Sequence, residues 1–146
     1  MEESSNDFIG TGWKFPIEFS LQTTGQQAVV GEVRMLTGEE DIKNSLDVLF
    51  ATRVGERIMH ASYGSALSNF LFVPINKSTL TYMQAVISDE ILFNEPRITL
   101  QEVIIQPAPD ENGRLDIHIY YRVSATNNRY NYVYPFYLDE ATNLKR

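Results

Sequence analysis

Apolar and polar positions alternate from Lys14 to Leu21: Phe15, Ile17, Phe19 and Leu21 fall between Lys14, Pro16, Glu18 and Ser20, the period of a half-buried strand. Pro16 has no N–H to give a ladder, which places this strand at a sheet edge. Polar residues Gln22 to Gln27, with Gly25 among them, turn the chain, and Ala28 to Leu36 reads as a second strand. The period then changes. Thr37-Gly38-Glu39-Glu40 has the form of a capping box, and Ile42, Leu46, Leu49 and Phe50 follow at helical spacing. They predict a helix over 38–53, with Gly55 as its stop. Residues 58–64 carry no period, and a short helical turn is expected around Ser65 to Phe72. After the connection Pro74 to Ser78, the stripe Leu80, Met83, Ile87 and Ile91 predicts a helix over 79–93. Pro96 ends it, because a proline disfavours the α conformation in the residue before it.

From Arg97 onward the pattern is β. Ile98 and Leu100 share one parity and Val103 and Ile105 the other, a phase change that predicts a bulge near Gln101-Glu102. Pro107 to Gly113 is turn chemistry. Leu115, Ile117, Ile119, Tyr121 and Val123 then alternate with Asp116, His118, Tyr120 and Arg122, the clearest strand in the chain. Asn127-Asn128 offers a turn. Tyr130, Tyr132, Tyr134, Phe136 and Leu138 make a last, aromatic strand, and Pro135 within it again argues for an edge. The order β-β-α-α-α-β-β-β predicts an α+β fold of antiparallel hairpins packed against helices. A single domain is expected over 10–138, with flexible ends at 1–9 and 139–146.

The 146 residues suffice for one hydrophobic core, and the apolar and charged fractions, 43% and 21%, are those of a folded protein. Lys and Arg number 12 against 19 Asp and Glu, a net charge of −7. With no basic run, nucleic acid is a poor partner. The chain has no cysteine, so disulfides and thiolate metal sites are excluded. The acidic start Met1 to Asp7 lacks the basic and apolar regions of a secretory signal, and no window reaches the roughly 20 apolar residues of a membrane helix. Folding in a bacterial cytoplasm, without membrane insertion, is the expectation.

Candidate chemistry is sparse. His60 and His118 have no His or carboxylate at a recognised ligand spacing, so no metal is expected. There is no nucleophile elbow, P-loop or dinucleotide fingerprint, so no cofactor is expected. Asp89-Glu90 and Glu95 could supply the two carboxylates of a glycosidase, but nothing in the pattern assembles a cleft around them. The chain is therefore read as no enzyme, and a small peptidoglycan hydrolase is the rival. Glu95-Pro96-Arg97 is more informative. Pro96 stiffens the exit from a helix and holds a carboxylate and a guanidinium in fixed directions, either as an internal salt bridge or as a docking point. Arg53 and Arg57 flank Gly55. The dipole of the preceding helix accounts for Arg53, whereas Arg57 lies too far beyond it, which makes the two an interface candidate.

Five segments occur in order: Ile42-Lys43-Asn44-Ser45-Leu46, Thr52 to Arg57, Tyr63-Gly64-Ser65-Ala66-Leu67, Glu95-Pro96-Arg97-Ile98 and Leu115 to Tyr121. Together, from about Asp41 to Val123, they resemble the baseplate wedge family of contractile phage tails, whose type VI secretion member is TssE. The resemblance implies a sheath initiator that is similar to the interlocking domain of the tail sheath and pairs strands with arms of the first sheath ring. It implies that Glu95, Pro96 and Arg97 dock on the helical core bundle of the wedge. It further implies sixfold assembly, with wedge and sheath proteins, and tube or hub proteins, as partners. Some members carry a lysozyme label, for which this chain lacks the carboxylate architecture. The family has a proline before its aromatic–Gly pair where this chain has Ala61. Gly10 to Pro16 resembles the branch found in phage-derived extracellular particles and some secretion systems.

An incompletely paired sheet edge invites another strand, which suits such a role. Tyr130, Tyr132, Tyr134 and Phe136 are accordingly the expected sheath-pairing strand, with core lining as the alternative for their side chains. A generic edge-binding module outside any injection machine is the remaining rival. Phage tail, secretion system and free particle are not distinguished by these residues.

Overall fold

A computed structural model of the chain describes residues 9–24 and 28–138. It is an α+β fold whose sheets pair antiparallel, and its backbone falls into two compact units, Met1–Val48 and Leu49–Arg146.

The first unit is a bent two-stranded ribbon leading into a helix. Strand β1 (Thr11–Trp13) pairs with β4 (Met35–Thr37), and β2 (Phe19–Thr24) pairs with β3 (Ala28–Val33). The continuous strand expected over 14–21 is thus broken. Arg34 explains the break: its carbonyl accepts from Lys14 N at 3.0 Å and its N–H donates to Glu18 O at 2.9 Å, so Phe15, Pro16 and Ile17 loop out opposite one residue. Pro16 lies in this loop, after a cis peptide bond, and not in an edge strand. Glu18 sits between the Lys14 ammonium and the Arg34 guanidinium, which hold its carboxyl below the usual range.

Helix α1 (Gly38–Ala51) starts where predicted, although Thr37 is spent in the ladder opposite Thr11. It ends four residues before Gly55. Its predicted apolar positions Ile42, Leu46, Leu49 and Phe50 are all buried. Within the first unit α1 clasps the incoming strand. Asn44 accepts from Phe15 N at 3.1 Å and donates to Trp13 O at 3.2 Å, and a side chain at Gly12 would run into the Asp41 carboxylate. Residues three apart on a helix share a face, so Asp41 and Asn44 act together there.

In the second unit, helix α2 (Lys77–Asn94) packs against β5 (Ile98–Pro107), which continues antiparallel into β6 (Arg114–Val123) and β7 (Arg129–Tyr137). The short helical turn expected around Ser65 to Phe72 is a 3-10 turn, Leu67–Phe70. No side chain caps its start, and a lone turn gains too few hydrogen bonds to extend. Asn76 caps α2 by accepting from Thr79 N at 2.9 Å, a signal readable from sequence that the connection Pro74 to Ser78 concealed. Met83, Ile87 and Ile91 face the core, and Leu80 is half-buried. The predicted bulge appears as a register shift between Leu100 and Glu102. Strand β6 alternates without interruption: Leu115, Ile117, Ile119, Tyr121 and Val123 are buried. The β5–β6 turn is pinned by Arg114, which donates to Asp110, Glu111 and Asp116 at 2.7–2.9 Å.

Candidate functional site

The last turn of α2 closes when Glu95 N donates to Ile91 O at 2.9 Å, and Pro96 then prevents continuation. Across that proline Glu95 and Arg97 face each other as a fork. Arg97 Nε and Nη2 donate to the two Glu95 oxygens, each at 2.7 Å. Glu95 is 3% exposed and the Arg97 side chain 29%. The carboxylate is therefore the buried anchor, and the guanidinium bridges interior and surface.

Residues 52–66 form a loop beside this corner, and Gly64 lets it close. With φ +129, a Cβ there would lie 2.7–2.8 Å from the Arg53 and Thr52 backbone, so only glycine allows the crossing. Ser65 N then donates to Thr52 O at 2.7 Å, and Arg53 bridges Ser65. The loop is tied to α2 by Glu90, whose carboxylate accepts from Ser65 Oγ at 2.7 Å and Ala66 N at 2.6 Å. Burial pushes the Glu90 carboxyl up, against the opposing pull of those two donors.

Arg57 has a partner that sequence spacing did not reveal. Its guanidinium carbon stands 3.9 Å from the centre of the Tyr63 ring, a cation–π contact. Burial raises the Tyr63 phenol; Arg57 pulls it down and Glu95 pushes it further up. Tyr63 is thus within electrostatic reach of both Arg57 and Glu95. Arg53 stands at the root of the loop, its N–H donating to Glu56 at 2.9 Å. Arg57, Tyr63, Glu90 and Phe93 line a groove of about 660 Å³.

The aromatic strand is placed elsewhere, on β7 at the end of the β5-β6-β7 sheet. Tyr132 and Phe136 are buried, Tyr134 meets Phe50 with ring centres 5.2 Å apart, and Tyr130 meets Tyr121 at 5.9 Å. These side chains line the core. The backbone is another matter. Val123 N donates to Asn128 O and Leu138 N to Gly113 O, and both bonds lie on the register that pairs β6 with β7. Bonding alternates along an antiparallel pair, so residues 130, 132, 134 and 136 point their N–H and C=O toward β6. Arg129, Asn131, Val133, Pro135 and Tyr137 point theirs away. The missing donor of Pro135 therefore falls on the outer edge and costs the sheet nothing.

The same reasoning turns the Val103 carbonyl outward from β5, where Gln84 of α2 donates to it at 3.1 Å. One border of the sheet is thus partly covered by α2, whereas among the described residues no strand pairs with the other.

The carboxylates considered for hydrolysis are engaged or dispersed: Glu90 holds the loop, Glu95 holds Arg97, and Asp89 is exposed. His118 is half-buried on the polar parity of β6, and His60 is exposed with Nδ1 3.4 Å from Ser62 Oγ. Among the described residues no cluster of His, Asp or Glu could hold a metal, and no helix is long and apolar enough to cross a membrane.

Residues 36–128 match the family model described as baseplate wedge protein gp25. A crystal structure of a proposed tail lysozyme from Geobacter sulfurreducens is 41% identical, covers 70% of this chain and 93% of its own, and superposes with a TM-score of 0.65. A chain in the sixfold-symmetrised baseplate of the anti-feeding prophage is 32% identical, covers 89% of this chain and 86% of its own, with a TM-score of 0.60. A chain of the type VI secretion baseplate complex, 18% identical, shares the fold over 68% of this chain and 93% of its own, with a TM-score of 0.56. Among curated proteins none matches.

Proposed function

Because the chain belongs to the gp25 baseplate wedge family and is a baseplate component of a contractile injection system, we propose that it is the adaptor between the baseplate wedge and the first sheath ring. In this reading it acts without breaking bonds, in six copies around the axis, and starts sheath assembly by adding a strand to β7. The observation that carries the reading is the asymmetry of the sheet. α2 covers part of one border, while the other presents carbonyls at five successive outward positions and N–H groups at four. An incoming strand would bond Arg129, Asn131, Val133 and Tyr137 and take only an acceptor from Pro135, which fixes its register.

The Glu95–Pro96–Arg97 corner is the wedge side. A fork pre-formed inside one chain holds the half-buried Arg97 in place without further ordering, and Arg57, held on Tyr63, adds a second cation. Helical bundles rich in carboxylates and C-terminal carbonyls are the surfaces such cations suit.

Val133→Pro tests the strand reading. Its N–H points outward, so the substitution removes no bond to β6 and should leave a folded protein. Particles assembled with it should keep the baseplate and lose sheath, counted by electron microscopy. A normal sheath on such particles would refute pairing at β7. The hydrolase alternative predicts cell-wall turnover by the purified protein, lost in Glu95→Gln.

A further inference from the structure

Arg122 of β6 and Arg129 of β7 stand directly opposite each other in the ladder. Val123 N donates to Asn128 O, so by alternation the next pair, Arg122 and Arg129, exchanges no backbone bond. Such pairs hold their side chains closest together. On β6 Arg122 falls between the buried Tyr121 and Val123, so both arginines leave the sheet on the face opposite the core. Arg129 is exposed and Arg122 half-buried. Like charges directly opposite each other destabilise a sheet.

No anion of the chain answers this pair. Arg34 is held by Glu18, Arg57 by the Tyr63 ring, Arg97 by Glu95, and Arg114 by Asp110, Glu111 and Asp116. Among the described residues Arg122 and Arg129 have no hydrogen bond, ion pair or ring contact. On β5 the residue opposite Arg122 is the neutral Thr99, and Glu102, opposite Tyr120, forms no ion pair with either arginine. The chain carries a net charge of −7, yet these two cations are set side by side and left without a carboxylate. Two cations are also too few to follow a phosphate backbone, which takes a run of them.

Their place in the sheet says what could answer them. Arg129 is the first of the outward-bonding positions of β7, so a strand added to that border must run beside it. The residue that comes to lie next to Arg129 projects to the same face, about 5 Å away across the new ladder. Repulsion from Arg122 favours placements of the Arg129 side chain that lean away from β6 and over the border. A carboxylate arriving there can take two parallel bonds from the guanidinium and offset the charge of both arginines. A slip of one residue would turn that carboxylate to the core face and leave the pair unanswered.

Resting on the reading that β7 accepts a sheath strand, we propose that Arg122 and Arg129 form a carboxylate clamp for an Asp or Glu of that strand. The N–H groups along β7 test the backbone of an incoming strand; the clamp adds a test of its charge and register.

Arg129→Gln removes one of the two charges at an exposed position. The free protein should then melt at a higher temperature, because the cross-strand repulsion is gone. Sheathless baseplates built with it should need about 5-fold more sheath protein, or beyond, before half of them acquire sheath in electron micrographs. Arg129→Glu should raise that demand further. Among sheath variants with one acidic residue at a time exchanged for Lys, one should restore sheath on Arg129→Glu baseplates. A lower melting temperature for Arg129→Gln would make the pair part of the fold and overturn the clamp. An unchanged demand for sheath, or no restoring Lys, overturns it equally. Val133→Pro separates the two readings. If it abolishes sheath while the Arg129 variants do not, pairing at β7 stands and the clamp falls; if Val133→Pro keeps normal sheath, both fall.

Discussion

Breaking the Glu95–Arg97 fork from its two ends should cost different amounts. Arg97→Met keeps most of the apolar stem but takes the guanidinium away from a carboxylate that is 3% exposed, leaving it the weaker bond from the residue 97 N–H at 3.4 Å. Removing one partner of a buried ion pair costs about 3–5 kcal/mol; because the Arg97 side chain is 29% exposed, water can reach the gap, and about 3 kcal/mol is expected. Glu95→Gln leaves a neutral side chain of nearly the same shape whose carbonyl still accepts one of the two bonds from the guanidinium, which at 29% exposure is reached by water at its other donor. That change should cost about 1 kcal/mol. The double variant has no buried charge left and should be more stable than Arg97→Met alone. Urea unfolding followed by circular dichroism, with the slope held common, measures all three. With about 5–15 kcal/mol of total stability available, each variant stays folded, so lost wedge incorporation by Arg97→Met would reflect docking. The reasoning fails if Glu95→Gln is the more damaging change, or if the double variant loses the full total of the two single losses.

Gly64→Ala should cost about 2–4 kcal/mol and lower the thermal midpoint, since it combines a disfavoured backbone angle with contacts to the Arg53 and Thr52 backbone that cannot yield. Asn44→Ala should cost about 1–2 kcal/mol and speed amide exchange at Phe15, whose N–H it leaves without the Asn44 oxygen. Burial raises the Glu90 carboxyl above its ordinary 4.5, so its stabilising contribution is full below that value and is lost as pH rises through the folded value. The stability of Glu90→Gln relative to the parent should therefore improve between pH 4 and 7 in parallel melts; a gap that widens would reverse the assignment.

Where a segment was legible, one periodicity and one environment coincided. β6 is buried on one face along its whole length, so Leu115 to Val123 could be read without a neighbour. The bulge at Leu100–Glu102 was legible for the same reason, because a change of parity has no other cheap origin. The ribbon misled because its alternation is real while its hydrogen bonds are not continuous. Phe15 and Ile17 keep the period of a strand, yet Pro16 and the two bonds of Arg34 exclude them from the ladder. Alternation reports which way side chains point, and is silent on whether the backbone is paired.

The candidate site shows the same division from the other side. Glu95, Pro96 and Arg97 are adjacent in sequence, so their fork could be anticipated from the stiffness of proline alone. The loop contacts that complete the corner could not, because Glu90 reaches Ser65 across 25 residues and Arg57 finds Tyr63 through a loop without period. Neither pairing has a local signature; each exists because Gly64 allows one backbone crossing. The aromatic strand needed a further distinction. Its rings were candidates for contact because they are large, but large rings at one parity are drawn inward, and Tyr132 and Phe136 are buried. What the strand leaves for a partner is the backbone at the opposite parity, where Pro135 gives up a donor that β6 never used. If β7 accepts a strand, specificity lies in the pattern of N–H groups at Arg129, Asn131, Val133 and Tyr137, and substitution of Tyr130 or Tyr134 should weaken folding more than sheath capture.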